Sequence, residues 1–218
     1  MSVRIPIARE GWPFILPGLL LSFICIMLGA MIPALLFAAV TLCVAAFFRD
    51  PERTTLKDDH LILAPADGRV LQIIPVSGQG ASPSQQVSIF MSVFNCHVNR
   101  VPLSGTVSTC LYNPGKFLPA FREKASLLNE QNTIHIRGSG MDIGVRQIAG
   151  LIARRIVCRV TCGDAVTQGS RFGLIKFGSR VDVVIPSSAE VLVAPGQKVK
   201  AGLHSIARIR SGNSNFES

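Results

Sequence analysis

The chain has 218 residues, of which 48% are hydrophobic and only 16% are charged, so it can bury one good core and is expected to form one domain with an appendage. Its 22 Lys and Arg against 13 Asp and Glu give a net charge of +9, which favours an anionic partner. One Trp and one Tyr are too few for a platform on which nucleic-acid bases stack. The composition therefore favours an anionic membrane surface and argues against nucleic acid.

The N-terminal quarter contains a long apolar run, with no charged residue in the 38 positions from Gly11 to Phe48. One membrane-spanning helix needs about 20 residues, so the run predicts two short helices with a break near Gly29 and Pro33. Basic residues on both flanks favour a hairpin or re-entrant pair with both ends on the cytoplasmic side. Residues 1–48 are therefore predicted to be a retained membrane anchor, because the run is too long for a cleaved signal peptide.

After a polar linker at residues 49–60, apolar residues alternate or form short runs bounded by Gly and Pro, a pattern typical of β-strands. Within Leu61–Ile74, Asp67 and Gly68 are predicted to form the turn between two strands. Residues 61–218 are therefore predicted to be a mainly β domain.

Two segments of this domain, Gly163–Gly169 and Gly196–Gly202, share the frame Gly-x-x-Val-x-x-Gly at a spacing of 33 residues. Each frame is predicted to make a tight turn that closes a hairpin, as in the lipoyl-like barrel or sandwich of carrier domains. Lys198 lacks the neighbours of a modifiable carrier lysine, so the frames support that fold and not a carrier function. Lys116–Leu128, which contains Pro119, is the one stretch predicted to be a helix or a loop.

The six cysteines form no C-x-x-C motif, and no pair of them has a histidine at the spacing of a zinc site. Ligand spacing of that kind is what marks a structural zinc site in a sequence. The sequence therefore predicts no metal, in a domain that faces a reducing, cytoplasmic environment.

The pair Gly178-Ser179 lies between two strand-like halves of Arg171–Pro186. A glycine lets another group approach its carbonyl closely, and the Ser179 hydroxyl is within reach of an N→O acyl shift if a base is near. A Gly-Ser pair by itself is typical of an ordinary turn or bulge.

The four histidines are the first candidates for a base. His60 lies in the polar linker and is expected to be solvated, and His135 and His204 are expected at a surface or an edge. His97 follows an apolar strand within a polar cluster, and Asp67 interrupts an apolar run. From residue type alone, both are equally compatible with a structural role and with catalysis.

Four motifs, in their order and spacing, resemble phosphatidylserine decarboxylase, in particular the short proenzyme of bacteria and archaea. They are Ala64-Pro-Ala-Asp-Gly68, Phe90-Met-Ser-Val-Phe-Asn-Cys-His-Val-Asn-Arg-Val-Pro102, Asn129-Glu130 and Lys176-Phe-Gly-Ser179. The apolar hairpin and the polar exit that follows it are also similar, so the resemblance covers nearly the whole chain.

The resemblance implies that the protein cuts its own bond between Gly178 and Ser179. The serine oxygen attacks the preceding carbonyl, the ester eliminates, and the dehydroalanine left behind hydrolyses to a pyruvoyl group. The products would be a β chain of residues 1–178 and an α chain of residues 179–218 that remain associated. The pyruvoyl group would accept the electrons left when phosphatidylserine loses CO2 and becomes phosphatidylethanolamine.

The resemblance also implies roles for three other residues. Asp67 and His97 would assist self-cleavage, and His97 would also protonate the carbanion. Longer members of the family carry a second histidine where this chain has Arg100, which would instead hold a substrate carboxylate or phosphate. The anchored basic domain would work at the cytoplasmic face of the cell membrane, and a homo-oligomer is compatible with this arrangement.

Two other functions stay open at the level of sequence. Ser179, His97 and Asp67 are also the residue types of a hydrolase triad, although the chain has no Gly-x-Ser-x-Gly elbow at Ser179. A membrane-tethered, lipoyl-like adaptor without enzymatic activity is the other. Both would leave the chain uncut.

Overall fold

The computed structural model describes residues 5–55, 57–77, 83–115, 129–150, 155–176 and 179–209. The chain divides into two compact units, Met1–Glu52 and Arg53–Ser218, and each is described by itself.

The first unit contains two apolar helices. A 3-10 turn at Arg9–Gly11 leads into α1 (Trp12–Met27), and α2 spans Met31–Phe47. Gly29 lies between them at φ 73°, a left-handed conformation that glycine adopts without a steric penalty. Pro33 lies instead in the first turn of α2, where its missing N–H costs no helical hydrogen bond. The predicted break is therefore present at Gly29 and not at Pro33.

The two helices approach each other at small residues. A Cβ on Gly18 would collide with the Thr41 side chain, and the Ser22 hydroxyl donates to the Ala34 carbonyl at 2.9 Å. The later residue of α1, Ser22, contacts the earlier residue of α2, Ala34, whereas Gly18 contacts Thr41. The helices α1 and α2 are therefore antiparallel. Small side chains of this kind let apolar helices pack at short distance.

The outward faces of both helices carry large exposed apolar side chains, including Leu20 and Leu36. In the described part of the chain, one helical stretch, Arg9–Met27, is long and apolar enough to cross a membrane, with 19 residues and a mean hydropathy of 1.6. The helix Met31–Phe47 is apolar but shorter.

The second unit is mainly β, as predicted. Its described strands are β1 (Leu61–Leu63), β2 (Gly68–Ser77), β3 (Pro83–Met91), β4 (Val98–Arg100), β5 (Gly105–Asn113), β6 (Gln131–Gly138), β7 (Met141–Ile148), β8 (Ile156–Cys158), β9 (Ala165–Val166), β10 (Arg171–Ile175), β11 (Ser179–Pro186), β12 (Ala189–Val191), β13 (Lys198–Val199) and β14 (Ser205–Ile209).

These strands form one large sheet and two small ones. The large sheet has the order β13-β2-β3-β11-β7-β6-β5-β9, and the small sheets have the orders β1-β14-β12 and β4-β10-β8. One face of the large sheet packs into the hydrophobic core, where Ile89, Val145 and Val183 are fully buried. Alternate residues point to the opposite face, which we call the outer face.

The turn predicted at Asp67 and Gly68 is present, but it does not close a hairpin. β1 pairs with β14, whereas β2 pairs with β3 and β13. The turn therefore takes the chain from a small sheet to the large one. The stretch Lys116–Leu128, predicted to be a helix or a loop, lies outside the described residues.

Two segments of the second unit repeat each other. His60–Val70 (the first copy) and His97–Val107 (the second copy) share the pattern His-x4-Pro-x2-Gly-x-Val at a spacing of 37 residues. The glycine frames Gly163–Gly169 and Gly196–Gly202 are the other half of this repeat. Each frame lies in the connection between two antiparallel partners, β8 and β10 or β12 and β14, so the predicted hairpins are present. The connection is longer than the predicted tight turn, and it contributes a two-residue strand, β9 or β13, to an edge of the large sheet.

The two copies exchange main-chain hydrogen bonds. The Leu63 N–H donates to the Pro102 carbonyl, and the Arg100 N–H donates to the Pro65 carbonyl, each at 2.9 Å. This reciprocal exchange relates the copies by an approximate two-fold axis, and it makes Asp67 and Ser104 equivalent positions.

Candidate active site

Ser179 is the first residue of β11 and is fully buried. It lies opposite Met91, the last residue of β3, and its hydroxyl donates to the Met91 Sδ at 3.5 Å. The preceding strand, β10, ends at Ile175 in another sheet, so the connection between β10 and β11 takes the chain between sheets. Gly178, the other half of the predicted cleavage site, lies outside the described residues.

A line of buried amides continues from the Met91 sulfur. The Asn99 Nδ2 donates to the Met91 Sδ at 3.8 Å, and the Asn99 Oδ1 accepts from the Gln147 Nε2 at 2.8 Å. Gln147 in turn accepts at its Oε1 from the Asn132 Nδ2 at 3.2 Å. The line fixes the side chains around Ser179, because each buried amide finds a partner in the next.

Sequence reasoning did not identify Asn99 or Gln147 as site residues. The sequence pattern that could have identified Gln147 is the alternation along β7, which puts Gln147 on the same face as the core residues Ile143 and Val145. A polar residue in such a row needs a partner. Gly173 makes room for it, since a Cβ there would lie 2.8 Å from the Gln147 Nε2.

His97 lies in the loop between β3 and β4 and is fully buried. The Asn95 side chain holds this loop by accepting from the main-chain N–H and the hydroxyl of Ser92, at 2.9 and 2.8 Å. The His97 Nδ1 lies 3.0 Å from the Asn95 carbonyl oxygen. A carbonyl oxygen only accepts, so Nδ1 carries the proton and Nε2 is the basic nitrogen of the neutral ring.

The main chain of His97 lies beside the segment that leads to Ser179. The His97 carbonyl accepts from the N–H of Ile175, the last residue of β10, at 3.3 Å. His97 and Ser179 are therefore attached to the two ends of the same short connection, and β4 and β3 hold those ends in place.

Both carboxylate oxygens of Asp67 are engaged. Arg53 donates to Oδ1 at 2.6 Å and to Oδ2 at 2.8 Å, and the Ala201 N–H donates to Oδ1 at 2.8 Å. The Ala201 contact has a counterpart in the second copy, where the Ser104 hydroxyl accepts from the Gln168 N–H at 3.0 Å. One task of Asp67 is therefore to hold the repeat together, and the Arg53 clamp is particular to the first copy.

Asp67 and Ser179 belong to the same end of the large sheet. β2 begins one residue after Asp67, β11 begins at Ser179, and the two strands flank β3. A Cβ on Gly68 would collide with the Phe90 carbonyl, so the glycine is what allows β2 to start so close to the end of β3.

Arg100 is buried, and its Nη1 donates to the Gly169 carbonyl at 2.8 Å. A Cβ on Gly202 would lie 2.9 Å from the Arg100 Cδ. The side chain therefore packs where the two glycine frames end. Its predicted role in binding substrate stays a prediction.

A buried ion pair follows Ser179 on the outer face of β11. The Arg180 Nε donates to the Asp182 Oδ1 at 2.5 Å, and the Arg180 Nη2 donates to the Ser88 hydroxyl at 2.7 Å. Burial raises the pKa of the Asp182 carboxyl, against the opposing effect of the Arg180 charge. The residue next to the predicted cleavage site is thus fixed to β3.

The other histidines lie elsewhere. His60 and His204 are exposed, as predicted. The side chain of His135 is only 12% exposed and pairs with Asp142 at 3.5 Å, in a strand inside the large sheet. The predicted edge position of His135 is therefore wrong, although its side chain lies on the outer face and is partly exposed.

A family model and three curated proteins that resemble this chain all carry the same family description. The family model described as phosphatidylserine decarboxylase matches residues 40–207. The phosphatidylserine decarboxylase proenzyme of Geobacter metallireducens is 47% identical over 204 residues, which cover 90% of this chain and 94% of that protein. The proenzyme of Syntrophus aciditrophicus is 50% identical over 200 residues, again 90% of this chain and 94% of that protein. That of Beijerinckia indica is 47% identical over 206 residues, 90% and 87% of the two chains.

Proposed function

The chain belongs to the phosphatidylserine decarboxylase family and is a carboxy-lyase, and we propose that it gains its activity by cutting its own bond between Gly178 and Ser179. Ser179 would then become a pyruvoyl group at the start of the α chain. The observation that carries the proposal is the buried Ser179 hydroxyl at the first residue of β11, next to the connection to which His97 is also attached.

In the first step the Ser179 Oγ attacks the Gly178 carbonyl carbon, and the acyl group passes from nitrogen to oxygen. His97 would take the hydroxyl proton at Nε2, the nitrogen that the Asn95 contact leaves basic. Loss of the Ser179 α-proton then breaks the Cβ–O bond and leaves a Gly178 carboxylate and a dehydroalanine. Water replaces its nitrogen, ammonia leaves, and a ketone remains.

Asp67 would support this step by holding the backbone in position. Its carboxylate is fixed by Arg53 and by the Ala201 N–H, and the bidentate Arg53 contact balances its charge. It would thus hold the start of β2 against the end of β3, the strand that lies beside Ser179.

The residues around Ser179 fit a pyruvoyl group, because the position is buried and its neighbours are a thioether and neutral amides. Such a group supplies the electron sink that decarboxylation of an amino acid headgroup needs. Asn99 and Gln147 would orient it, and His97 would hold the proton that returns to the α-carbon. Arg100 is a further candidate for holding an anionic group of the substrate.

The two chains would stay together after cleavage. β11, in the α chain, pairs with β3 along its whole length from Ser179 to Pro186 and with β7 from Arg180 to Val184. These ladders do not depend on the bond that is cut. The two-fold repeat supports a lipoyl-like fold for residues 61–218, and a homo-oligomer stays a prediction.

The substrate is a membrane lipid, and residues 1–48 would anchor the enzyme with residues 49–60 as the linker. The basic residues that flank the apolar helices favour the cytoplasmic face of the cell membrane. An anchored domain with an excess of basic residues would meet an anionic headgroup at the bilayer surface.

Intact mass spectrometry of the denatured full chain tests the proposal. We expect two polypeptides, residues 1–178 and 179–218, of which the smaller carries a ketone that reacts with hydroxylamine. Ser179→Ala should give one uncut chain and release no CO2 from phosphatidylserine. An uncut and unmodified wild-type chain, shown to be folded, would contradict self-cleavage and leave the hydrolase and the adaptor as explanations.

A further inference from the structure

A cavity of about 580 Å³ lies on the outer face of the large sheet, at the end away from Ser179. Residues of β6, β7 and β11 line it, and the pairing of these strands brings Thr133, Arg146 and Asp182 into one row across the sheet. Val184 also lines the cavity. It lies five residues along β11 from Ser179, or about 16 Å at 3.3 Å per residue, on the opposite face. The cavity is therefore separate from the candidate active site.

The lining of the cavity is rich in hydrogen-bond donors. Arg146 lies on its floor and Arg137 at its rim, where the Arg137 side chain is 74% exposed. Hydroxyl groups line the same cavity, from Ser84, Thr133 and Ser188. Guanidinium and hydroxyl groups together are the donors that bind phosphate oxygens.

Two carboxylates lie in or near the cavity, and each is paired with a cationic side chain. Asp142 is the one carboxylate among the described lining residues, and it lies 3.5 Å from both the His135 Nδ1 and the Arg137 Nη2. Asp182, across the register from Arg146, is bound to Arg180. Arg146 attracts the Asp182 carboxylate electrostatically, but no hydrogen bond of its guanidinium is among the described contacts, so its donors are available to an anionic ligand.

Gly144 shapes the floor of the cavity. A Cβ at this position would lie 3.2 Å from the His135 Cε1 and 3.5 Å from the Val184 Cβ. The absence of a side chain at Gly144 thus lets the His135 imidazole lie against β7. A volume of this size suits a small polar ligand.

We propose that this cavity is a second, non-catalytic site that binds a phosphate-bearing polar ligand through Arg146 and Arg137. The phosphate accepts from the two guanidinium groups, and the hydroxyl groups of Ser84 and Thr133 complete its coordination. The chemistry is that of a phosphate monoester or diester, either free in solution or as the headgroup of an anionic lipid. The site is independent of the proposed self-cleavage, because its described lining includes none of Ser179, His97, Asp67, Asn99 and Gln147.

Isothermal titration calorimetry on the full chain in detergent tests this site. The probes are inorganic phosphate, glycerol phosphate and a short-chain phosphatidylglycerol. Binding of the first two identifies a free phosphate as sufficient, whereas binding of the lipid alone identifies a headgroup. Either result supports the site if Arg146→Gln weakens the binding by about tenfold, as expected for the loss of a charge-assisted contact.

Two further variants make the test specific. Arg146→Lys keeps the charge but loses the planar fork, and it should bind more tightly than Arg146→Gln. Arg208→Gln removes one charge from an exposed position on β14 and should bind as the wild type does. Equal binding by the wild type and Arg146→Gln, equal weakening by Arg208→Gln, or no binding of any probe would overturn the proposal.

Discussion

Two histidines that the repeat makes equivalent differ in their surroundings. His60 and His97 open the two copies, and their main-chain carbonyls accept from Ile209 at 2.8 Å and from Ile175 at 3.3 Å. His60 is exposed, whereas His97 is fully buried with its Nδ1 at the Asn95 carbonyl. Both main-chain carbonyls accept an equivalent hydrogen bond, so the two histidines differ in their side chains. Burial and the contact with Asn95 give the His97 imidazole its fixed basic nitrogen.

This contrast provides a matched pair of variants. We expect His97→Ala to slow chain splitting by about a hundredfold or more, because a positioned base contributes on that order. His60→Ala should split at the wild-type rate. The measurement is the fraction of cut chain against time after synthesis in a cell-free system. Wild-type kinetics for a folded His97→Ala would remove the imidazole from the cleavage step.

At the scale of elements, β11 joins the candidate active site to the rest of the large sheet. Its core face carries Ser179 at one end and apolar residues beyond it, while its outer face carries the buried pair Arg180 and Asp182. Removing two charges from water is costly, and their attraction repays that cost only in part. The pair is therefore expected to fix the position of the strand more than to stabilise the fold.

A single and a double variant of this pair separate the cost of burying an unpaired charge from the net contribution of the pair to stability. Asp182→Leu alone leaves the Arg180 charge buried and should lower the free energy of unfolding by roughly 3–5 kcal/mol. Arg180→Met combined with Asp182→Leu should come close to the wild type or exceed it. Thermal or denaturant unfolding of the purified variants measures both. If the double variant were as unstable as the single one, the pair would be a net source of stability.

The difference in stability between the wild type and the double variant should depend on pH, with a defined sign. Burial raises the pKa of Asp182 in the folded protein, so the folded state holds this proton more tightly than the unfolded chain does. The resulting stabilisation is complete below the usual pKa of an aspartate and is lost as the pH rises to the raised value. The stability of the wild type relative to the double variant should therefore fall across that window.

At the scale of the whole molecule, the chain combines a basic β unit with an apolar helical pair. Leu20 and Leu36 are 58% and 62% exposed on that pair. Large contiguous apolar surfaces of this kind are unfavourable in water and mark a contact with a membrane or a partner. The net charge of +9 adds an attraction to anionic lipid.

Membrane attachment can be tested by an alkaline carbonate wash of isolated membranes. We expect the wild-type chain to stay in the membrane pellet. Leu20→Asp combined with Leu36→Asp should leave it, because each aspartate at a helix centre opposes insertion by about 2.5–3.5 kcal/mol. Leu203→Asp, at a residue that is 44% exposed in the second unit, is the matched control and should stay. Release of the wild type by the wash would contradict an inserted anchor.

Much of the architecture could be predicted from local patterns. The uncharged run predicts the two helices, because a long apolar segment has few other structures open to it. Alternation and turn residues predict a mainly β second unit. The partners of the strands could not be predicted, since a hairpin at Gly68 and a passage between sheets have the same local sequence. The frame Gly163–Gly169 shows the same limit, because its sequence predicts the hairpin of β8 and β10 but not the edge strand β9 that it adds to the large sheet.

The sequence by itself determined the family, through motifs whose order and spacing identify Ser179, His97 and Asp67 as candidates. Their chemical settings were decided only by the tertiary structure. Residues far apart in the chain hold these groups: Arg53 and Ala201 clamp Asp67, and Gln147 supports Asn99 beside Met91. Burial, tautomer and hydrogen-bond partners depend on such long-range contacts, and no local pattern of residues encodes them.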